Sequence, residues 1–179
     1  MAKQVETIYG NALFELALEE NSLDSLYEEA TALIRILTEN DELIKRLAHP
    51  QLSREEKIKV LENTFTGHAS KDIIGLMVMV VEKGHATKLV NIFKYFVKLV
   101  KREKKIGVAS VTSAITLDEG KRKAIEKRLI ETTKYETMEI EYKVDESLIG
   151  GLVIRIEDRV VDSSIKTKLN TLSKTLANA

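Results

Sequence analysis

Residues 104–117 read KKIGVASVTSAITL, and here the hydrophobic period changes. Upstream, apolar side chains recur every three or four residues, the period of a helix with one buried face. From this point they alternate. Ala109, Val111, Ser113, Ile115 and Leu117 share one side of an expected strand. The step divides the chain into an all-helical part, residues 1–104, and a mixed part, residues 105–179. The expected fold is an N-terminal six-helix bundle followed by a small α+β domain.

Working back from the boundary, a helix from Ala86 to about Glu103 buries Leu89, Ile92, Phe93, Phe96, Val97 and Val100. It turns Lys88, Lys94, Lys98, Lys101 and Arg102 outward. The helix before it, Lys71 to Lys83, is apolar nearly all round from Ile73 to Val81, which predicts central burial. Ser70 can cap its start and Gly84 ends it. Ser53-Arg54-Glu55-Glu56 is a capping box, in which hydroxyl and carboxylate each satisfy a free backbone N–H. The helix it opens carries Ile58, Leu61 and Phe65 and closes at Gly67. A short helix around Glu42 to Leu47 ends before His49-Pro50, because proline biases its predecessor away from helical angles. Leu23, Leu26, Tyr27, Ala30, Leu33, Ile34 and Leu37 mark the second helix. Val5, Ile8, Tyr9, Ala12, Leu13, Leu16 and Ala17 mark one face of the first, widened by Phe14 and Leu18.

Working forward, Asp118 to about Thr132 reads as a helix with a thin stripe, Ile125 and Leu129. Met138, Ile140, Tyr142 and Val144 then alternate with Glu139, Glu141, Lys143 and Asp145, a half-buried strand. Gly150-Gly151 precedes a strand bearing Leu152, Ile154 and Ile156, and Asp158-Arg159 turns the chain into Val160-Val161. Asp162 or Ser163 caps a last helix with Ile165, Leu169, Leu172 and Leu176.

The balance of 28 basic against 28 acidic residues in 179 argues against a dedicated nucleic-acid binder, which carries a basic excess. With 44% hydrophobic residues a core can form, so wholesale disorder is excluded. The absence of cysteine removes disulfides, thiolate metal sites and cysteine nucleophiles. The longest apolar run, Ile73 to Val81, falls far short of the about 20 residues a bilayer span needs. The first twenty residues are acidic and amphipathic, unlike a signal or transit peptide.

No catalytic constellation stands out. His49, His68 and His85 sit at helix ends without metal-ligand spacing. There is no phosphate-binding loop, and Gly150-Gly151 precedes a strand rather than a helix. Glu55, Glu56 and Asp162 are accounted for as helix-start acids. The sharp charge feature is a split. Residues 88–105 hold seven Lys or Arg against Glu103, and residues 1–30 hold Lys3 against seven acids. A solvated face explains such a run, and an anionic partner, anionic lipid or RNA is the alternative. Phe93, Tyr95 and Phe96 lie on or beside the core stripe, which weakens base stacking. The residues alone describe a two-domain adaptor.

The joined pattern is more specific. Residues 145–165, DESLIGGLVIRIEDRVVDSSI, through Leu169 and Leu172 closely resemble the signature of the F-type ATP synthase delta subunit. The mitochondrial relative is the oligomycin sensitivity conferring protein. Tyr9-Gly10-Asn11-Ala12-Leu13-Phe14 resembles that family's opening motif. So do His49-Pro50 before Lys57, and Val81-Glu82-Lys83-Gly84-His85 before the sixth helix. The resemblance covers essentially the whole chain. Glu157 stands where the family usually has glycine, and Asp162-Ser163-Ser164 where Asp-Gly-Ser is usual. Both changes lose a residue that tolerates positive φ, so the turns are expected to differ locally.

The resemblance implies a non-catalytic stator subunit without cofactor, metal or catalytic residues. It would hold the catalytic head against rotor torque so that ion flow is coupled to ATP synthesis. In this family the helical domain binds N-terminal segments of the alpha subunits. Tyr9, Leu13, Phe14, Ala17, Leu76, Met77 and Val80 are the candidates here for a groove between the first and fifth helices, where an amphipathic helix would dock by apolar anchors. The C-terminal domain faces the b subunits of the peripheral stalk, with Gly150, Gly151, Asp162, Leu172 and Leu176 as scaffold or contact. The implied place is the cytoplasmic face of a bacterial membrane, reached only through the complex, with no nucleic-acid partner. Two rivals stay open on the residues. One is an RNA- or ribosome-associated protein using the basic sixth-helix face; the other is an enzyme with a carboxylate pair that the linear sequence hides.

Overall fold

A computed structural model describes residues 2–49 and 51–177, so Pro50 of the His49-Pro50 step lies outside the described residues. The chain divides into two units, Met1–Lys101 and Arg102–Ala179.

The first unit carries α1 (Ala2–Glu19), α2 (Leu23–Glu39), α3 (Asp41–Ala48), α4 (Arg54–Phe65), α5 (Lys71–Glu82) and α6 (Leu89–Glu103), whose last residues pass the unit boundary. A short 3-10 turn, Ala86–Lys88, leads into α6. Helix starts follow the predicted capping chemistry. At α4 the Glu56 N–H donates to the Ser53 hydroxyl at 3.3 Å and the Ser53 N–H donates to Glu56 Oε2 at 2.8 Å. At α5 the Ser70 hydroxyl faces the Ile73 N–H, while the Ser70 N–H donates to Glu29 Oε2 of α2 at 2.7 Å. That carboxylate ties two helices that lie far apart in sequence.

The core of this unit is built from the predicted stripes. Leu26, Ala30, Leu33 and Leu37 of α2 meet Leu61 and Phe65 of α4, and Leu89, Ile92, Phe93, Phe96 and Val100 of α6. The fifth helix is central, as its composition requires: Ile73, Leu76, Met77, Val80 and Val81 are all buried. It is not buried all round, however, since Met79 is exposed.

The second unit contains β1 (Ile106–Ser113), α7 (Glu119–Thr132), β2 (Thr137–Val144), β3 (Leu152–Ile156), β4 (Arg159–Asp162) and α8 (Ile165–Ala177). The sheet order is β2-β1-β3-β4. β1 and β2 are parallel, and α7 supplies the crossover that a parallel pair needs. β3 pairs antiparallel with both β1 and β4. One face carries Ala109, Met138, Ile140, Ile154 and Ile156, covered by Leu129, Ile125 and Ile130 of α7. This core is thin.

Two sequence expectations change in this unit. β1 stops at Ser113, so Ile115 and Leu117 lie beyond the strand, and Ile115 is exposed. The Ser113 hydroxyl donates to the Ile115 carbonyl at 2.6 Å and turns the chain out of the sheet. Gly150 and Gly151 immediately precede β3, as the sequence predicts. Glu157 takes the left-handed backbone that suits glycine, at φ 49°, and Tyr135 Oη donates to its carboxylate at 2.6 Å. Ser163 needs no positive φ at all.

Candidate functional site

With no catalytic cluster in the sequence, the site is sought among side chains left uncovered. No group of three or more His, Cys, Asp or Glu among the described residues is placed to hold a metal ion.

In the first unit, Leu13, Ala17, Leu76, Met77 and Val80 are buried in the helical core. Tyr9 and Phe14 are half-buried and packed against it. Most of the predicted groove residues are thus committed to packing. The same two helices, which contact one another, leave a different set outside. On α1 these are Ile8, 59% exposed, with Ala12 one turn on and Leu18 near the helix end. On α5 they are Met79, 51% exposed, and Gly75 one turn before it, flanked by half-buried Ile74 and Val78. Ile8 and Ala12 belong to the same sequence stripe as Leu13 and Ala17. The signal was the width of the stripe: it spans more of the helix than one packing contact can cover.

Gly75 sits mid-helix, where glycine costs about 1 kcal/mol relative to alanine. A Cβ placed there meets nothing within 4 Å, so the fold does not require glycine. Gly75 also lines a cleft of about 930 Å³ with Glu62, Thr66, Ile74 and Val78 of α4, α5 and the loop between them. Gly75→Ala is therefore expected to raise the stability of the isolated chain by about 0.5–1 kcal/mol. Urea denaturation measures it; a loss of stability would show that the site is tighter than the free chain suggests.

In the second unit, Asp162 organises the start of α8. The Ser164 N–H donates to its Oδ1 at 2.8 Å and the Thr167 hydroxyl to its Oδ2 at 2.7 Å. These donors, the Ser164 N–H first, hold its carboxyl below the ordinary carboxylate range. The buried Ser164 hydroxyl accepts from the Thr167 N–H, so Ser164 is the immediate cap, one residue later than predicted. Gly151 has φ 79°, and a Cβ there would run into the Ser163 carbonyl oxygen. At Gly150 a Cβ would lie 2.7 Å from Ile165 Cδ1. The Ile165 N–H donates to the Gly150 carbonyl at 3.0 Å and the Ser163 N–H to the Leu152 carbonyl at 2.8 Å. The glycine pair is where α8 is fastened to the sheet.

Beyond that fastening, the α8 stripe is open. Ile165, Leu169, Leu172 and Leu176 are 42%, 51%, 60% and 78% exposed in that order. α8 packs on little except the short Glu146–Leu148 turn. An apolar cavity of about 460 Å³, which the sequence did not reveal, lies between Ile115, Leu117, Ile125, Ile149 and Leu152. At its edge Ile149 adopts φ 66°, an unusual conformation for a β-branched residue. The basic face of α6 is exposed at Lys94, Lys98 and Arg102.

Comparison with known proteins places this arrangement. The family model described as ATP synthase delta (OSCP) subunit matches residues 5–176. The ATP synthase subunit delta of Lachnoclostridium phytofermentans is 51% identical over 176 residues, 98% of this chain and 97% of that one. That of Natranaerobius thermophilus is 34% identical over 168 residues, 94% of this chain and 93% of that one. A chain in the cryo-EM structure of the Toxoplasma gondii mitochondrial ATP synthase hexamer shares the fold. Its TM-score is 0.73 at 18% identity, covering 96% of this chain and 97% of that one.

Proposed function

The chain belongs to the ATP synthase delta (OSCP) subunit family, non-catalytic parts of the stator, and on that premise we propose that its two units dock two different partners. The RNA-associated alternative finds no support among these relatives.

In this reading the helical unit, a six-helix bundle over residues 1–104, grips the catalytic head. It takes the N-terminal helix of an alpha subunit on the uncovered side chains of α1 and α5. The α+β unit, residues 105–179, holds the b subunits of the peripheral stalk through α8. No helix among the described residues is long and apolar enough to cross a membrane. Attachment at the cytoplasmic face of the bacterial membrane then comes through the complex. The subunit works mechanically: it resists the torque of the rotor so that ion flow is coupled to ATP synthesis.

The observation that carries this reading is that each unit leaves apolar side chains uncovered, Ile8 of α1 and Met79 of α5 in the first and Ile165 through Leu176 in the second. Burying an aliphatic side chain is worth about 1.5–3 kcal/mol, so a few anchors suffice for a specific helix contact. Leu13, Ala17, Leu76, Met77 and Val80 lie in the core of the same two helices, and Tyr9 and Phe14 are half-buried against it.

The test is a pull-down against solubilised ATP synthase together with titration of an alpha-subunit N-terminal peptide. Ile8→Asp with Met79→Asp, both at exposed positions, should weaken peptide binding at least about tenfold. The circular dichroism spectrum should stay native and recovery of b subunits should persist. Undiminished peptide binding by that folded variant would remove α1 and α5 from the head contact. Failure of the wild-type chain to retain alpha or b subunits would reject the two-partner reading itself.

A further inference from the structure

The open stripe of α8 has a regularity that its exposure alone does not explain. Ile165, Leu169, Leu172 and Leu176 are spaced four, three and four residues apart. That is the alternating d-a-d-a spacing of a heptad seam, with Ile165 and Leu172 at d and Leu169 and Leu176 at a. The stripe is narrow. Besides three lysines and Ala177, the rest of the helix is Thr167, Asn170, Thr171, Ser173 and Thr175, with no aromatic residue anywhere in it. A helix that lies in a lipid interface presents a broader apolar face, commonly with Trp or Phe. A narrow a/d stripe suits the side of another helix.

The charges fix the kind of helix. α8 carries Lys166, Lys168 and Lys174 and no acidic residue. In the heptad frame Lys166 falls at e and Lys168 at g, on opposite flanks of the seam, and Lys174 falls at f, behind it. Positions e and g meet the partner's flanks and select it by charge. Lys166 Nζ donates to the Ser147 hydroxyl at 3.1 Å, and Asp145 is near enough to feel its charge, which leaves Lys168 the less compensated of the two. A second copy of α8 would bring only basic and neutral flanks to a seam shorter than two heptads, with no carboxylate to meet the lysines, so self-pairing is disfavoured.

We propose that α8 is one strand of a short heteromeric helix pair, and that its partner is a helix with an apolar heptad seam flanked by glutamate or aspartate. The proposal rests on the stator reading and adds to it the chemistry of the stalk-side partner: Lys166 and Lys168 choose an acidic helix over a neutral or basic one.

The full chain is titrated with two synthetic peptides of about three heptads, long enough to lie along all four α8 anchors. Both carry leucine and isoleucine at a and d. One has glutamate at every e and g, the other lysine. The wild-type chain should bind the acidic peptide at least about fivefold more tightly at low salt, and the preference should shrink in high salt as the flanks are screened. Lys166→Glu with Lys168→Glu should reverse the order. Lys168→Glu alone, which leaves the Lys166–Ser147 bond in place, should move it the same way. Leu172→Asp should abolish binding of both peptides while circular dichroism stays native.

Equal binding of the two peptides, no binding of either, or a preference indifferent to the lysine reversals overturns the proposal. So does wild-type binding to anionic phosphatidylglycerol vesicles with no binding to the acidic peptide. Pull-down on solubilised ATP synthase separates the two levels. Equal recovery of stalk subunits by wild type and by the lysine-reversed chain sinks the charge selection alone. Absent recovery by wild type sinks the stator reading beneath it.

Discussion

Gly151→Val is expected to unfold the second unit while the first stays intact. Two independent penalties fall on one residue. Its φ of 79° lies in the region that an L side chain enters only with strain, and most expensively when β-branched. A Cβ would also press on the Ser163 carbonyl and, at 3.0 Å, on Ser164 Cα, and backbone cannot rotate aside as a side-chain tip can. Any movement that relieves the clash must stretch the two hydrogen bonds that fasten α8, from Ser163 N–H to Leu152 and from Ile165 N–H to Gly150. Strain and lost pairing together amount to about 3 kcal/mol or more, a large share of what so thin a core supplies. Hydrogen exchange resolved by peptide should show protection lost across residues 106–165 and kept across α2 to α6. Recovery of b subunits should fail while alpha-peptide binding survives. Native protection in β3 and α8 would show that the turn can be rebuilt around a side chain.

The complementary result is expected from Phe93→Ala. Phe93 is wholly buried on α6, beside Phe96, Ile92 and Leu89 and within the cluster that joins α1, α2, α4 and α5. Truncating a buried phenylalanine removes its transfer free energy and leaves a cavity that a close-packed helical core fills only in part, about 3–5 kcal/mol in all. The helical unit should then melt first, in a separate transition, and alpha-peptide binding should be lost. The second unit should keep its exchange protection and its recovery of stalk subunits. Loss of both units in one transition would show that they do not fold independently.

The acid limb of stability follows from the caps. Glu56, Asp118, Asp145 and Asp162 each have a carboxyl held below its ordinary range, chiefly by backbone N–H bonds for Glu56, Asp118 and Asp162 and by Ser147 for Asp145. A carboxylate depressed in the folded state adds stability above its unfolded pKa and surrenders it as pH falls through the folded one. These caps are therefore intact at neutral pH and weaken only on acidification below the ordinary carboxylate range.

The local features were legible in the sequence because they are set within a turn or two of chain. The Ser53–Glu56 box, the Leu26-Ala30-Leu33-Leu37 stripe, the alternation from Met138 and the period change at Lys104 each depend on neighbours no more than a few residues away. Even the family was readable, since the order of short motifs survives without coordinates. Which apolar residues face a partner was not readable. Ile8 and Leu13 share one stripe, and only the placement of the other helices buries Leu13 and leaves Ile8 out. Met79 reads like its neighbours in an apolar run, yet Met77 is wholly buried and Met79 open, because burial is decided by what arrives from elsewhere in the chain. Ile115 and Leu117 keep the alternation of β1 but leave the sheet, since strand length depends on the partners available, and the pairing of β1 with both neighbours ends at Ser113. The α8 seam shows both sides of this division. Its heptad spacing and its flanking lysines are properties of the sequence. That the described residues leave most of the stripe uncovered is a tertiary fact, because hydrophobic burial is a relation between segments that lie far apart along the chain.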